Sequence, residues 1–136
     1  MFQSLALALA LTTSGLWYSP DHDGVGLLIT KDSGYGSAVI WFGYTREHQP
    51  AWLISTDTCS EFPCRVGIAE PVGSWMGSTP VELVEVGEVR ITPLGDGRLE
   101  FYYVFHAWPS AGECGRMLGK MLTGCMDTWI MERLTE

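Results

Sequence analysis

Three histidines and four cysteines are the residues of this 136-residue chain whose types could do chemistry. Asp21-His22-Asp23 offers mixed oxygen and nitrogen ligands of the kind a divalent metal takes. Set between Pro20 and Gly24, however, the triplet also has the composition of a solvated turn, and that is the plainer reading. His106 ends an aromatic run just before Trp108-Pro109. It could act as an acid–base group with Glu100 or Asp127, though strand-end histidines more often bond a backbone carbonyl. His48 falls in a polar break and is expected at the surface. There is no Gly-x-Ser-x-Gly elbow, phosphate loop, dinucleotide fingerprint or His-Glu-x-x-His. The sequence implies no cofactor and no metal, and an enzyme is the less favoured class.

Aromatic residues are the feature that leans toward function. Trp17, Tyr18, Trp41, Phe42, Tyr44, Trp52, Trp75, Trp108 and Trp129 exceed what a small core needs. They could fill a barrel, leave room in it for one small ligand, or form a surface that stacks sugars or grips a partner. Packing alone is the plain account. The ligand-binding candidates are Tyr44, Trp52, Trp75 and Trp108, gathered at one mouth of a barrel. Trp75 and Trp108 sit in glycine- or proline-flanked loops, where binding residues concentrate.

The four cysteines form two local pairs, Cys59 with Cys64 and Cys114 with Cys125. Four cysteines allow three connectivities; proximity favours 59–64 and 114–125. Zinc sites use tighter Cys-x-x-Cys pairs, so disulfides and an oxidising compartment are the better reading. The segment 1–14 carries an apolar run of seven, Leu5 to Leu11, too short to span a bilayer but matching a secretory leader. It lacks a basic start, and its Leu/Ala alternation also suits a first strand. The reading is a leader over 1–14 and one domain over 15–136. That domain is expected to be monomeric, periplasmic or extracellular, and not inserted in a membrane once the leader is removed.

A net charge of −8 excludes a phosphate-backbone partner, so no nucleic acid is expected. No basic cluster exists to hold an anionic membrane surface. Hydrophobic residues at 46% and sixteen glycines suit a β protein with many turns.

The elements that must position these groups read as strands. Residues 37–45 and 51–57 flank the break at Thr45 to Gln49 and form a central hairpin, with Trp41 and Trp52 on neighbouring strands as a register-fixing pair. Leu16–Ser19, Val25–Thr30 and a weak Arg65–Ala69 are further strands, and Glu70 to Gly73 reads as a link. In 81–92 the apolar positions change parity at Gly87, which predicts a bulge or bend. Leu94-Gly95-Asp96-Gly97 predicts a tight turn of the Asp-Gly type into Arg98–His106, a strand expected to be covered on both sides. Asp127–Leu134 is the last strand, and 112–122 could hold a helical turn. Eight short antiparallel strands predict an all-β barrel or barrel-like sandwich.

Gly15-Leu-Trp17-Tyr18-Ser-Pro20, Gly24-Val-Gly26, Trp41-Phe42-Gly-Tyr44 and Gln49-Pro50-Ala-Trp52 follow in order at compact spacing. This resembles an exported bacterial all-β domain family of unknown function, with the pattern Gly-x-Trp-Tyr-x-Pro, Gly-x-Gly, Trp-Tyr-x-Tyr, Gly-x-Pro-x-Trp. Phe42 replaces the usual Tyr and Gln49 the turn Gly. Gly-x-Trp is also similar to the first strand of lipocalin-like and avidin-like barrels, and the last strand echoes the pattern as far as Arg133. The resemblance implies a β-barrel and supplies no catalytic residues. Three functions are therefore weighed. The first is a non-enzymatic module binding a small hydrophobic or carbohydrate ligand or a partner protein. The second is a secreted protease inhibitor presenting the 59–64 loop with Phe62. The third is a hydrolase using His106.

Overall fold

The computed structural model describes residues 13–22, 24–32, 34–44, 50–72, 81–106 and 126–134. Eight strands run in chain order: β1 (Gly15–Tyr18), β2 (Gly26–Ile29), β3 (Val39–Tyr44), β4 (Pro50–Ser55), β5 (Cys64–Val72), β6 (Glu82–Gly95), β7 (Arg98–Phe105) and β8 (Met126–Arg133). Each pairs antiparallel with the next, and β8 returns to β1 to close a barrel. All eight expected strands are present. The largest boundary difference is β5, which continues through Glu70-Pro71-Val72, where a link was expected. Pairing of these residues with Val84, Leu83 and Glu82 of β6 overrides their weak local preference.

The turn chemistry explains the tightest connection. Asp96 and Gly97 both take positive φ, 55° and 71°, between the paired residues Gly95 and Arg98. Two left-handed residues match the twist of the strands they join, and Asp-Gly tolerates them. The parity change at Gly87 is a bulge. Ile68 pairs with Gly87 and Ala69 with Glu85, so Val86 is the extra residue. Val86 is nonetheless fully buried, and its carbonyl accepts from the His106 amide at 3.0 Å. A Cβ on Gly87 would run into the Val104 carbonyl oxygen and lie 3.0 Å from Phe105 Cα. Only glycine lets the two backbones approach this closely.

Alternation decides what fills the barrel. Trp17, Leu27, Trp41, Leu53, Phe101, Tyr103, Trp129 and Met131 all point inward and are buried. Trp41 is the hub, with ring centroids of Phe101, Tyr103, Trp129 and Phe105 at 4.9, 5.1, 5.5 and 5.7 Å. The barrel centre is thus packed with side chains, one of the two uses an eight-stranded barrel allows. The expected Trp41–Trp52 pair is not formed. Trp41 opposes Leu53 and Phe42 opposes Trp52, so the two tryptophans lie on opposite faces of the same sheet. Of the outward residues of β7, Arg98 is exposed and Glu100, Tyr102 and Val104 are half-buried, so the face expected to be covered stays partly open to solvent.

Closure between β1 and β8 is short. Among the described residues, Trp17↔Arg133 and Tyr18↔Glu132 pair, with one further bond from the Leu134 amide to the Leu16 carbonyl at 2.9 Å. Arg133 reinforces the seam: its guanidinium lies 4.5 Å over the Trp17 ring while Nη1 donates to the Ser14 carbonyl at 2.8 Å. Trp17 Nε1 donates to the Thr13 carbonyl at 2.9 Å. Thr13 and Ser14, the last residues of the expected leader, are buried against the barrel.

Two stability outcomes follow from this packing. Gly87→Ala overpacks a backbone contact and should destabilise by ~1–3 kcal/mol in urea unfolding. Arg133→Ala removes both the ring contact and the bond to Ser14, and should cost a similar ~1–3 kcal/mol.

Candidate binding site on the barrel wall

The residues facing away from the core of β1–β4 form two rows across four strands. Tyr18, Gly26, Phe42 and Trp52 are successive cross-strand partners, and so are Leu16, Leu28, Ile40 and Ile54. None of the eight carries a charge. Because the inward positions are apolar as well, these strands read as near-continuous apolar runs, and composition alone does not separate their faces.

The first row is open. Phe42 is 39% exposed, Trp52 46%, and Tyr44, two residues beyond Phe42, 44%. The absence of side chains beneath them sets their pose. A Cβ on Gly26 would strike the far end of the Phe42 ring, and one on Gly24 would lie 3.2 Å from Tyr44 Cε2. The two rings therefore fold down across the neighbouring strand and its turn instead of standing off the sheet. Together with Pro50, Trp52 and the β1–β2 turn they line a cleft of about 640 Å³. This volume falls in the range of small-ligand sites.

One corner of the cleft is polar. In the turn after β1, the His22 amide donates to the Ser19 carbonyl at 3.1 Å, and the Ser19 hydroxyl meets His22 Nδ1 at 2.7 Å. The His22 ring lies 4.0 Å from that of Trp129 at an interplanar angle of 20°. A hydroxyl–imidazole pair is the raw material of nucleophilic catalysis. Here Ser19 is buried and the imidazole is stacked on an indole, so the pair caps the packed interior and supplies a polar edge to the cleft.

The structure brings together two of the four candidate ligand residues, Tyr44 and Trp52. They sit on the outer wall, where an interior mouth was expected. Trp75, Trp108, Cys114, Cys125, His48 and the 112–122 helical turn lie outside the described residues. Sequence reasoning missed Phe42, Tyr18 and the Ser19–His22 pair as site residues. The signals available were the alternation through Trp41-Phe42-Gly43-Tyr44 and the two glycines of Gly24-Val25-Gly26, once their cross-strand partners were known.

The remaining candidates are dispersed. His106 is exposed beyond the end of β7, whereas Glu100 is six residues back along that strand, about 20 Å at strand rise. Asp127 opposes Tyr103 and accepts from the Thr128 amide at 2.7 Å. No group of three metal-ligating side chains converges among the described residues. Cys59 and Cys64 are joined in a disulfide with Cα atoms 5.8 Å apart, compatible with an extracellular location. Phe62 within that loop is buried in the core, so an incoming protease would meet Ser60 and Glu61 instead. No family model, curated protein or solved structure matches the chain.

The opposite wall is polar. Arg65 Nε and Nη2 donate to the two Glu88 oxygens at 2.8 and 2.6 Å, and Arg90 lies 5.2 Å over the Tyr102 ring. The hydrogen bonds from Arg65 hold the Glu88 carboxyl below its ordinary value, and the same pairing raises Arg65. A lowered folded pKa means that the pair's contribution is present above the ordinary carboxylate range and lost as pH falls through the lowered value. Arg65 is exposed and Glu88 partly so, so solvent screens the pair and the effect is small. The difference in urea midpoint between Glu88→Gln and the parent protein should be slight and constant from pH 6 to 8. It should shrink as the pH falls below the ordinary carboxylate range and be gone only beneath the lowered value of Glu88.

Proposed function

We propose that this protein is a secreted or periplasmic, non-enzymatic binding module whose ligand site is the aromatic cleft on the outer wall of β1–β4. The observation that carries this is the grouping of Phe42, Tyr44 and Trp52. All three are more than a third exposed and line a ligand-sized cleft, with Phe42 and Tyr44 laid over Gly26 and Gly24. Rings in these exposed positions add little to the core, which already holds its own aromatic cluster. Large amphipathic rings held in one pose are what recognition surfaces use, because little freedom is lost on binding. The disulfide is compatible with the proposed compartment, and the resemblance over residues 15–53 to exported bacterial domains agrees with it.

The test is a binding screen read by native mass spectrometry and calorimetry, with small uncharged apolar compounds, oligosaccharides and peptides as probes. Any ligand of the cleft should be weakened about tenfold or more by Trp52→Ala and untouched by Tyr102→Ala on the opposite wall. A ligand equally indifferent to both substitutions, with folding intact by circular dichroism, would place binding elsewhere.

A further inference from the structure

Resting on that reading of the cleft, we infer that its occupant is a neutral saccharide whose sugar rings stack on Phe42, Tyr44 and Trp52.

Charge narrows the class first. Among the described residues, no Lys, Arg, Asp or Glu lines the cleft, in a chain whose net charge is −8. A carboxylate, phosphate or sulfate ligand would meet no Lys or Arg among these described lining residues and would be repelled by the protein's overall field. A cationic ligand would be desolvated without a carboxylate to meet it. An uncharged occupant complements this described lining best.

Exposure narrows it further. The cleft is an open trough on a wall, and its three rings keep 39–46% of their surface. An occupant lying in it buries one side and leaves the other in water. A fully apolar molecule gains only half its possible transfer energy in that position and would be better held in an enclosed cavity. The described interior is instead filled by the Trp41 cluster. A sugar ring suits an open trough, because one face is a patch of C–H groups and the edges are hydroxyls that remain solvated.

The platform and its rim match those two features. Phe42 and Tyr44 lie folded down over Gly26 and Gly24, presenting rings along the sheet, and Trp52 is the direct cross-strand neighbour of Phe42. The negative ring faces attract polarised C–H groups. Hydroxyl partners stand at the rim: the phenols of Tyr18 and Tyr44 and the Ser19–His22 pair. Phe42 and Tyr44, two residues apart on β3, are about 7 Å apart along the strand, enough to seat more than one sugar unit. An oligomer should therefore bind more tightly than its monosaccharide.

The experiment uses the intact protein, tryptophan fluorescence and calorimetry. The probes are an array of neutral oligosaccharides of two to six units, the same backbones carrying uronic acids, and the uncharged dye Nile red. Gly26→Val, which must lift the Phe42 ring, and Trp52→Ala test the platform, with near-UV circular dichroism to confirm folding. Tyr102→Ala is the control. The expected result is a neutral oligosaccharide that binds more tightly with length and is weakened about tenfold or more by Trp52→Ala. It should also be weakened by Gly26→Val, be indifferent to Tyr102→Ala, and bind better than its uronic acid counterpart. Nile red bound in a Trp52-dependent way, with no neutral saccharide bound, would overturn the saccharide class and leave the cleft as the site. A charged oligomer binding better than its neutral counterpart would likewise overturn it. If no probe responds to Trp52→Ala in folded protein, the cleft reading falls together with the inference.

Discussion

Closure of the barrel between its first and last strands is the constraint on which the rest depends. Two residue pairs and one backbone bond to Leu134 make that seam, and Arg133 secures it by covering Trp17 and holding the Ser14 carbonyl. An open sheet of these strands would leave two edges and an apolar face to water. Closure turns that face inward, where Trp41 and its neighbours fill the centre. The buried rim of Thr13 and Ser14 belongs to the same arrangement. The backbone that precedes the first strand is thus part of what closes the barrel.

A filled interior moves any recognition to the outside, and the outside is divided. The wall of β1–β4 carries uncharged rows with exposed aromatics, while that of β5–β7 carries the Arg65–Glu88 pair and Arg90 over Tyr102. The two ends differ as well. At one, the Cys59–Cys64 disulfide, the Ser37–Cys59 bridge and the Asp96-Gly97 turn keep connections tight. At the other, the Ser19–His22 turn leads into the aromatic cleft. Rigid strands thus carry the platform, and the glycines under it hold the rings in place.

Much of this was legible beforehand because β structure announces itself by period. The eight strands, the parity change at Gly87 and the Asp96-Gly97 turn all followed from alternation and turn residues, which act over a few neighbours. The Cys59–Cys64 pairing followed from proximity. What escaped was pairing partners. Trp41 and Trp52 looked like a pair because both are tryptophans on adjacent strands, but register sets them on opposite faces. Phe62 looked like a loop residue ready for a partner, and the core takes it instead.

The amino-acid sequence by itself determined an all-β domain, its succession of strands and turns along the chain, its acidic character and its surplus of aromatic rings. Each of these is local or additive, readable from a window of residues or a sum over the chain. Only the tertiary structure decided which rings are core and which are surface. It placed Phe42, rather than Trp41, beside Trp52, and put glycines beneath the exposed rings. The physical reason is that a strand with apolar residues on both faces does not state which face is inward. Register across the closed barrel makes that choice, and a slip of one residue would exchange the core for the cleft.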